Sequence, residues 1–157
     1  MNYKDKLLKY AVYYLSKFSS SKKNLEYILK KKIRRLTEEK KIRYELYQEI
    51  NHIIYKLEQM KLLNDAVFTE SKINSLLSQA KSKNYIKQYL IRKGVDNELA
   101  DIQISDFYKK NINLEKENAL KFAKKKNLLN NNENYEKKLY KMARAGFSYE
   151  IAKEILK

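Results

Sequence analysis

Across 157 residues the chain has no proline and only two glycines, Gly94 and Gly146. That scarcity constrains the fold more than any motif does. Tight hairpins draw on glycine for positive φ and on proline for preset turn angles, and a chain almost without both cannot make many of them. Long helices joined by short Ser- and Asn-rich connections need neither. The expected fold class is therefore all-α, built from a tandem repeat of helical modules.

Hydrophobic spacing supports this. Leu7, Leu8, Ala11, Val12 and Leu15 recur at helical intervals, which predicts a helix over about 4–17. Ser19-Ser20-Ser21 supplies a break and an N-cap, and Leu25, Ile28, Leu29 and Ile33 form the inner stripe of a second helix. Thr37, followed by Glu38 and Glu39, reads as the start of a long third helix carrying Ile42, Leu46, Ile50, Ile53, Ile54, Leu57 and Met60. Asn64-Asp65 marks the next start, with Val67, Phe68, Ile73, Leu76, Leu77 and Ala80 on the inner face. Asn84 is read as the cap of a short helix bearing Ile86, Leu90 and Ile91, which stops at Gly94. Asn97 opens a helix with Leu99, Ala100, Ile102, Ile104 and Phe107. Asn113 opens another, with Leu120 and Ala123 facing the core. Residues 130–132 read as loop. Tyr135, Leu139, Met142 and Ala143 define the eighth helix, and Ser148 caps the ninth.

A repeat lies inside this pattern. Residues 90–100, LIRKGVDNELA, align with residues 142–152, MARAGFSYEIA, at an offset of 52. Arg92, Gly94, Glu98 and Ala100 recur as Arg144, Gly146, Glu150 and Ala152, and Val95 aligns with Phe147. Each copy reads as helix, glycine stop, buried apolar residue, polar cap, helix. Glycine suits the residue just past a helix, which commonly needs positive φ. Leu25 to Ile33 is a degenerate first copy without the glycine. The organisation expected is three three-helix modules over 1–63, 64–111 and 112–157, in an elongated, curved arrangement with corners like those of a helix-turn-helix. Within them Phe68, Val95 and Phe147 are candidate core anchors, while Asp65 and Ser148 stabilise helix starts.

Charge points to the function class. Lys and Arg total 35 against 19 Asp and Glu, a net charge of +16. Such a field attracts polyanions. Thirty of the cations are lysines and five arginines, which favours electrostatic attraction over planar bidentate recognition. Four clusters are candidate contacts for a partner or a nucleic acid: Lys30, Lys31, Lys32, Arg34 and Arg35; Lys83, Lys87, Arg92 and Lys93; Lys124, Lys125 and Lys126; and Lys137, Lys138, Lys141 and Arg144. Each also reads as a solvated helix face. Tyr44, Tyr47, Tyr85, Tyr89, Tyr108, Tyr135, Tyr140 and Tyr149 invite a stacking role, although at least half are expected to pack at helix junctions.

Catalysis finds little support. There is no Gly-rich phosphate loop, no cysteine, and one histidine, His52, opposite the apolar stripe of its helix. No metal site or cofactor is expected. The absence of cysteine suits a reducing interior. No apolar run reaches membrane-spanning length, and the start, Met1 to Lys6, leads into a charged amphipathic segment. The expectation is a cytoplasmic monomer that does not engage membranes.

The ordered set of motifs resembles the RecX family. Leu63, Asp65 and Phe68 match its L-x-D-x-x-F region, with Lys61 where the family carries glycine and Thr69 where it carries alanine. Arg92-Lys93-Gly94-Val95-Asp96 and Gly146-Phe147-Ser148-Tyr149 match further on, and the likeness spans nearly the whole chain. The resemblance implies tandem three-helix modules and a regulator that is not an enzyme. It implies binding to the RecA recombinase filament on single-stranded DNA, in its helical groove, and restraint of filament growth, strand exchange and co-protease activity. Read from the residues alone, two other functions stay open: a nucleic-acid-binding helical module that needs no recombinase, and a helical scaffold or adaptor.

Overall fold

The computed structural model describes residues 2–130 and 132–157. Met1, and Asn131 of the loop expected at 130–132, lie outside the described residues. Among the described residues there are nine helices and no strand: α1 Tyr3–Lys17, α2 Lys22–Leu36, α3 Lys40–Gln59, α4 Asp65–Ser78, α5 Lys83–Arg92, α6 Asn97–Lys110, α7 Leu114–Lys125, α8 Tyr135–Arg144 and α9 Tyr149–Ile155. They are arranged in three-helix modules. None of the helices is long and apolar enough to cross a membrane.

By compactness the chain divides into two units. The first comprises residues 1–68 and 93–95. Its core is built by α1, α2 and α3, which all pack on one another. Leu25, Leu29 and Ile33 recur every four residues along α2 and meet Leu7 and Ala11 of α1 and Leu46, Ile50, Ile53 and Leu57 of α3. Four-residue spacing places these side chains on one stripe, and full burial of each large one contributes about 1.5–3 kcal/mol. The second unit comprises residues 69–92 and 96–157. In it α5 packs on α6, and α9 packs on both α7 and α8. Ala119, Ala123, Leu128, Met142, Phe147 and Ala152 form its C-terminal core, where the Phe122 and Phe147 rings lie 5.6 Å apart.

Several helices end through a residue in the left-handed region. Gly94 and Gly146 adopt φ +79 and +91, and Lys61, Ala80 and Asn127 do the same without being glycine, at φ 57, 59 and 53. At Lys61 the geometry is that of a Schellman end: Lys61 N–H donates to Glu58 and Leu62 N–H to Leu57. Lys81 N–H to Leu76, Leu128 N–H to Ala123 and Phe147 N–H to Met142 close the corners at Ala80, Asn127 and Gly146 in the same way.

Some expectations are corrected. Thr37 does not start α3: it is the C-cap of α2, and α3 begins at Lys40, so Glu38 and Glu39 precede the helix. The Thr37 hydroxyl instead accepts from Glu39 N–H, and Arg43 donates to the carbonyls of Thr37 and Arg34. Asn84 does not cap α5, because Ser82 accepts from Tyr85 N–H. Val67 is 63% exposed, since buried Thr69, Ile73 and Leu76 lie on the far side of α4 and buried Phe68 on its flank. Ile102 is 53% exposed, two residues and about 200° from buried Ile104. Val12, Met60, Ile91 and Leu120 also reach the surface, Met60 because α3 has already ended. The first corner needs no positive φ, since the chain leaves α2 at Thr37 in an extended conformation.

Candidate partner-binding surface

The cations are displayed on a frame whose corners repeat one device. In the first unit Ser21 is buried at the start of α2, and its hydroxyl accepts from Asn24 N–H while donating to the Lys93 carbonyl. Asp65 brings a carboxylate oxygen to 2.8 Å from Lys22 N–H, the first free donor of the same helix. In the second unit buried Ser82 accepts from Tyr85 N–H at 3.1 Å and donates to the Ala145 carbonyl at 2.7 Å. Glu115 brings both carboxylate oxygens to within 3.1 Å of Lys83 N–H. A helix N-terminus with open N–H groups favours a carboxylate, so each clamp satisfies a donor that has no partner within its own helix. The carbonyls that accept from Ser21 and Ser82 immediately precede Gly94 and Gly146. A Cβ on Gly94 would come within 2.5 Å of Lys23 Cβ, and one on Gly146 would overlap Ser82 Oγ. Both glycines are thus required by close approach as well as by φ.

Asp65 therefore does more than favour the start of its own helix. Asn64 accepts from Ala66 and Val67 N–H there, leaving the Asp65 carboxylate to reach α2. Ser21-Lys22 and Ser82-Lys83 are the sequence trace of this device, at an offset of 61. Glu115 also accepts from the Tyr108 hydroxyl at 2.7 Å. Burial first, then this bond to a carboxylate, pushes the Tyr108 phenol far above its ordinary pKa.

The four cation clusters fare differently. On α2, Lys30 pairs with Glu26, and Lys32 is half-buried with its ammonium 4.7 Å from the Tyr10 ring centre. Lys31, over the Tyr27 ring at 4.5 Å, shares an exposed face with Arg34 and Arg35. Lys83 and Lys87 line a cleft of about 490 Å³ together with Asp101 and Glu115, and Lys87 is paired with Asp101 at 2.7 Å. That cleft is not a cationic one. Arg92 is exposed at the end of α5, and Lys93 is half-buried at the corner.

The third and fourth clusters converge. Lys126 at the end of α7 and Lys141 and Arg144 on α8 meet Lys81 around a cleft of about 570 Å³, with Ala80, Tyr85, Phe122 and Ala145 as its apolar lining. Lys81 and Phe122 were not read from sequence as part of a site, Tyr85 was read only as a stacking candidate, and only the fold brings residues so distant in the chain together. Lys124, Lys125 and Lys137 are exposed nearby in sequence, and Lys138 is half-buried. Of the eight tyrosines considered for stacking, Tyr44, Tyr135, Tyr140 and Tyr149 are exposed, and the other four are partly covered. His52 is exposed. Among the described residues no group of acidic and His side chains could hold a metal ion.

Comparison with known proteins places this architecture. The family described as RecX, second three-helix domain, matches residues 64–102, which span the Asp65 clamp residue and the Gly94 corner. The regulatory protein RecX of Myxococcus xanthus is 30% identical over 93% of this chain and 81% of its own length. The crystal structure of RecX from Lactobacillus salivarius superposes with a TM-score of 0.70 at 28% identity, covering 98% of this chain and 94% of that one. A second crystal structure of a regulatory protein RecX shares the fold, with a TM-score of 0.69 at 20% identity over 97% of this chain and 70% of that one. With a 30% identical relative covered this fully, and with the Asp65, Phe68 and Gly94 corner inside the matching family segment, the chain belongs to the RecX family of regulatory proteins.

Proposed function

We propose that this protein is a non-catalytic regulator of the RecA recombinase. It binds the recombinase filament on single-stranded DNA, lies in the filament's helical groove across adjacent protomers, and restrains filament growth, strand exchange and co-protease activity. It acts as a cytoplasmic monomer. Family membership supports the partner. The observation that carries the mode of action is the exposed cation set on repeated helical modules: Lys31, Arg34 and Arg35 on α2, and Lys126, Lys141 and Arg144 around one cleft. Several separate contacts to a polymer raise the effective concentration of each next contact, so modest individual affinities suffice.

The test is recombinase filament assembly and ATP turnover on single-stranded DNA, with and without the protein, at near-stoichiometric ratio in moderate salt. Inhibition is expected, weakened by charge reversal at Lys31/Arg35 and at Lys138/Arg144 with the fold intact. No effect of the wild-type protein on either readout refutes the proposal. Equal affinity for bare DNA and for filament would favour the second reading, a nucleic-acid-binding module, which rests on the same exposed cations.

A further inference from the structure

We infer that the cleft between α7 and α8 is a docking site for an acidic peptide segment carrying one large apolar side chain, supplied by a protein partner. At about 570 Å³ it falls within the size range of ligand-binding clefts, roughly 300–1,000 Å³. Its floor is apolar, with Ala80, Phe122 and Ala145, and its rim is cationic, with Lys81, Lys126, Lys141 and Arg144. An occupant must cover the floor and meet the rim at once. A carboxylate–apolar–carboxylate segment does both, and desolvating the floor strengthens the charge pairs around it.

Two features favour a peptide over a nucleic-acid strand. The aromatic rings of the lining are already engaged: the Lys81 ammonium lies 4.6 Å from the Tyr85 ring centre, and Phe122 packs against Phe147. A base stacking on either lining ring would compete with these contacts, whereas sequence-tolerant strand binding uses open rings. Second, the chain itself already places a carboxylate on this rim. Both oxygens of Glu133 lie 2.8 Å from Lys141 Nζ, so an incoming carboxylate would make a bond of a kind the rim already forms. The inference is independent of the recombinase reading, because its test contains neither filament nor DNA-bound protein.

The 157-residue chain is titrated into three fluorescein-labelled probes, read by anisotropy: a short Asp/Glu-rich peptide with one central Phe, its counterpart with Ala at the centre, and an oligothymidylate of equal charge. The Phe peptide is expected to bind about tenfold tighter than the Ala peptide, and tighter than the oligothymidylate. Arg144→Glu and Lys126→Glu should each weaken it by about tenfold, while Lys56→Glu on the exposed side of α3 leaves it unchanged. The Phe peptide should also shift the Phe122 and Ala145 amide resonances of the wild-type protein, a readout that requires no folded variant. Equal binding of the two peptides, preference for the oligothymidylate, an equal loss with Lys56→Glu, or resonance shifts confined to other helices would each overturn the inference.

Discussion

Gly146→Ala tests the clamp directly. The residue sits at φ +91, where an L side chain costs about 1–2 kcal/mol. The new Cβ would also overlap Ser82 Oγ, displacing the hydroxyl that caps α5 and donates to the Ala145 carbonyl. Losing the cap costs about 1 kcal/mol and losing the buried hydrogen bond about 1 kcal/mol more. The expected total is about 3–4 kcal/mol. Ser82→Ala should cost about 2 kcal/mol, since it removes the same two bonds. In the double variant the hydroxyl is already gone. The other atoms close to the new Cβ are Tyr85 N at 3.4 Å and Asn84 Cβ at 3.5 Å, ordinary contacts. The pair should therefore cost about 2 kcal/mol less than the sum of the singles. Gly94→Ala with Ser21→Ala is the control, because the Gly94 contact is with Lys23 Cβ and the Ser21 oxygen lies 3.5 Å away. That pair should come much closer to additivity. Urea unfolding followed by far-ultraviolet circular dichroism measures all six variants, with unchanged m-values required. Additivity within about 0.5 kcal/mol at Ser82/Gly146 would refute the proposed geometry.

Lys61→Gly should stabilise the chain by about 1 kcal/mol, because it removes a side chain from the left-handed region at an exposed position (φ 57); a loss of stability would contradict the strain argument. Asp65→Ala should cost about 1 kcal/mol and raise amide exchange at Lys22, the donor it leaves behind; unchanged exchange would remove the carboxylate's role in capping α2. Tyr108 should resist ionisation well above the ordinary phenol range in an absorbance titration at alkaline pH. Its folded pKa lies above the unfolded value of about 10, so its stabilising contribution is whole below that pH and declines as pH rises beyond it. Tyr108→Phe should flatten that decline, and an unchanged slope would locate the alkaline sensitivity elsewhere.

The helices were legible because burial repeats along them at fixed intervals. Leu25, Leu29 and Ile33 announce α2, and Leu46, Ile50, Ile53 and Leu57 announce α3, before any contact is known. Left-handed corner residues were legible only where they are glycine. Gly94 and Gly146 stand out, whereas Lys61 and Ala80 take the same left-handed backbone with residues that do not advertise it, and Asn127, which suits it, sits among many other asparagines. Tertiary packing decides those conformations. Helix starts were misplaced at Thr37 and Asn84 because short polar residues crowd both regions, and any of them could cap. The site was least legible. Lys81, Lys126, Lys141 and Arg144 form one rim although they are spread over 64 positions, so no window along the sequence contains them. Asp65 and Glu115 look like ordinary first-turn acids, but each carboxylate reaches the start of another helix.

Those two carboxylates belong to a wider division of labour. Glu26, Glu49, Glu58, Asp101, Glu133 and Glu154 hold lysines in ion pairs, and Asp96 caps α6 through the N–H groups of Glu98 and Leu99. Much of the acidic complement is thus committed to local structure, while the cations are nearly twice as numerous. Exposed pairs of this kind contribute little stability, about 0–1 kcal/mol each. The corners are held instead by buried Ser hydroxyls, backbone carbonyls and the two glycines, with the Asp65 and Glu115 carboxylates added at the helix starts. Surface lysines can therefore be exchanged without loosening the frame, and the frame can be probed without altering the field. That separation is what lets charge-reversal variants at Lys126 and Arg144 test binding while the Ser82–Ala145 corner stays intact.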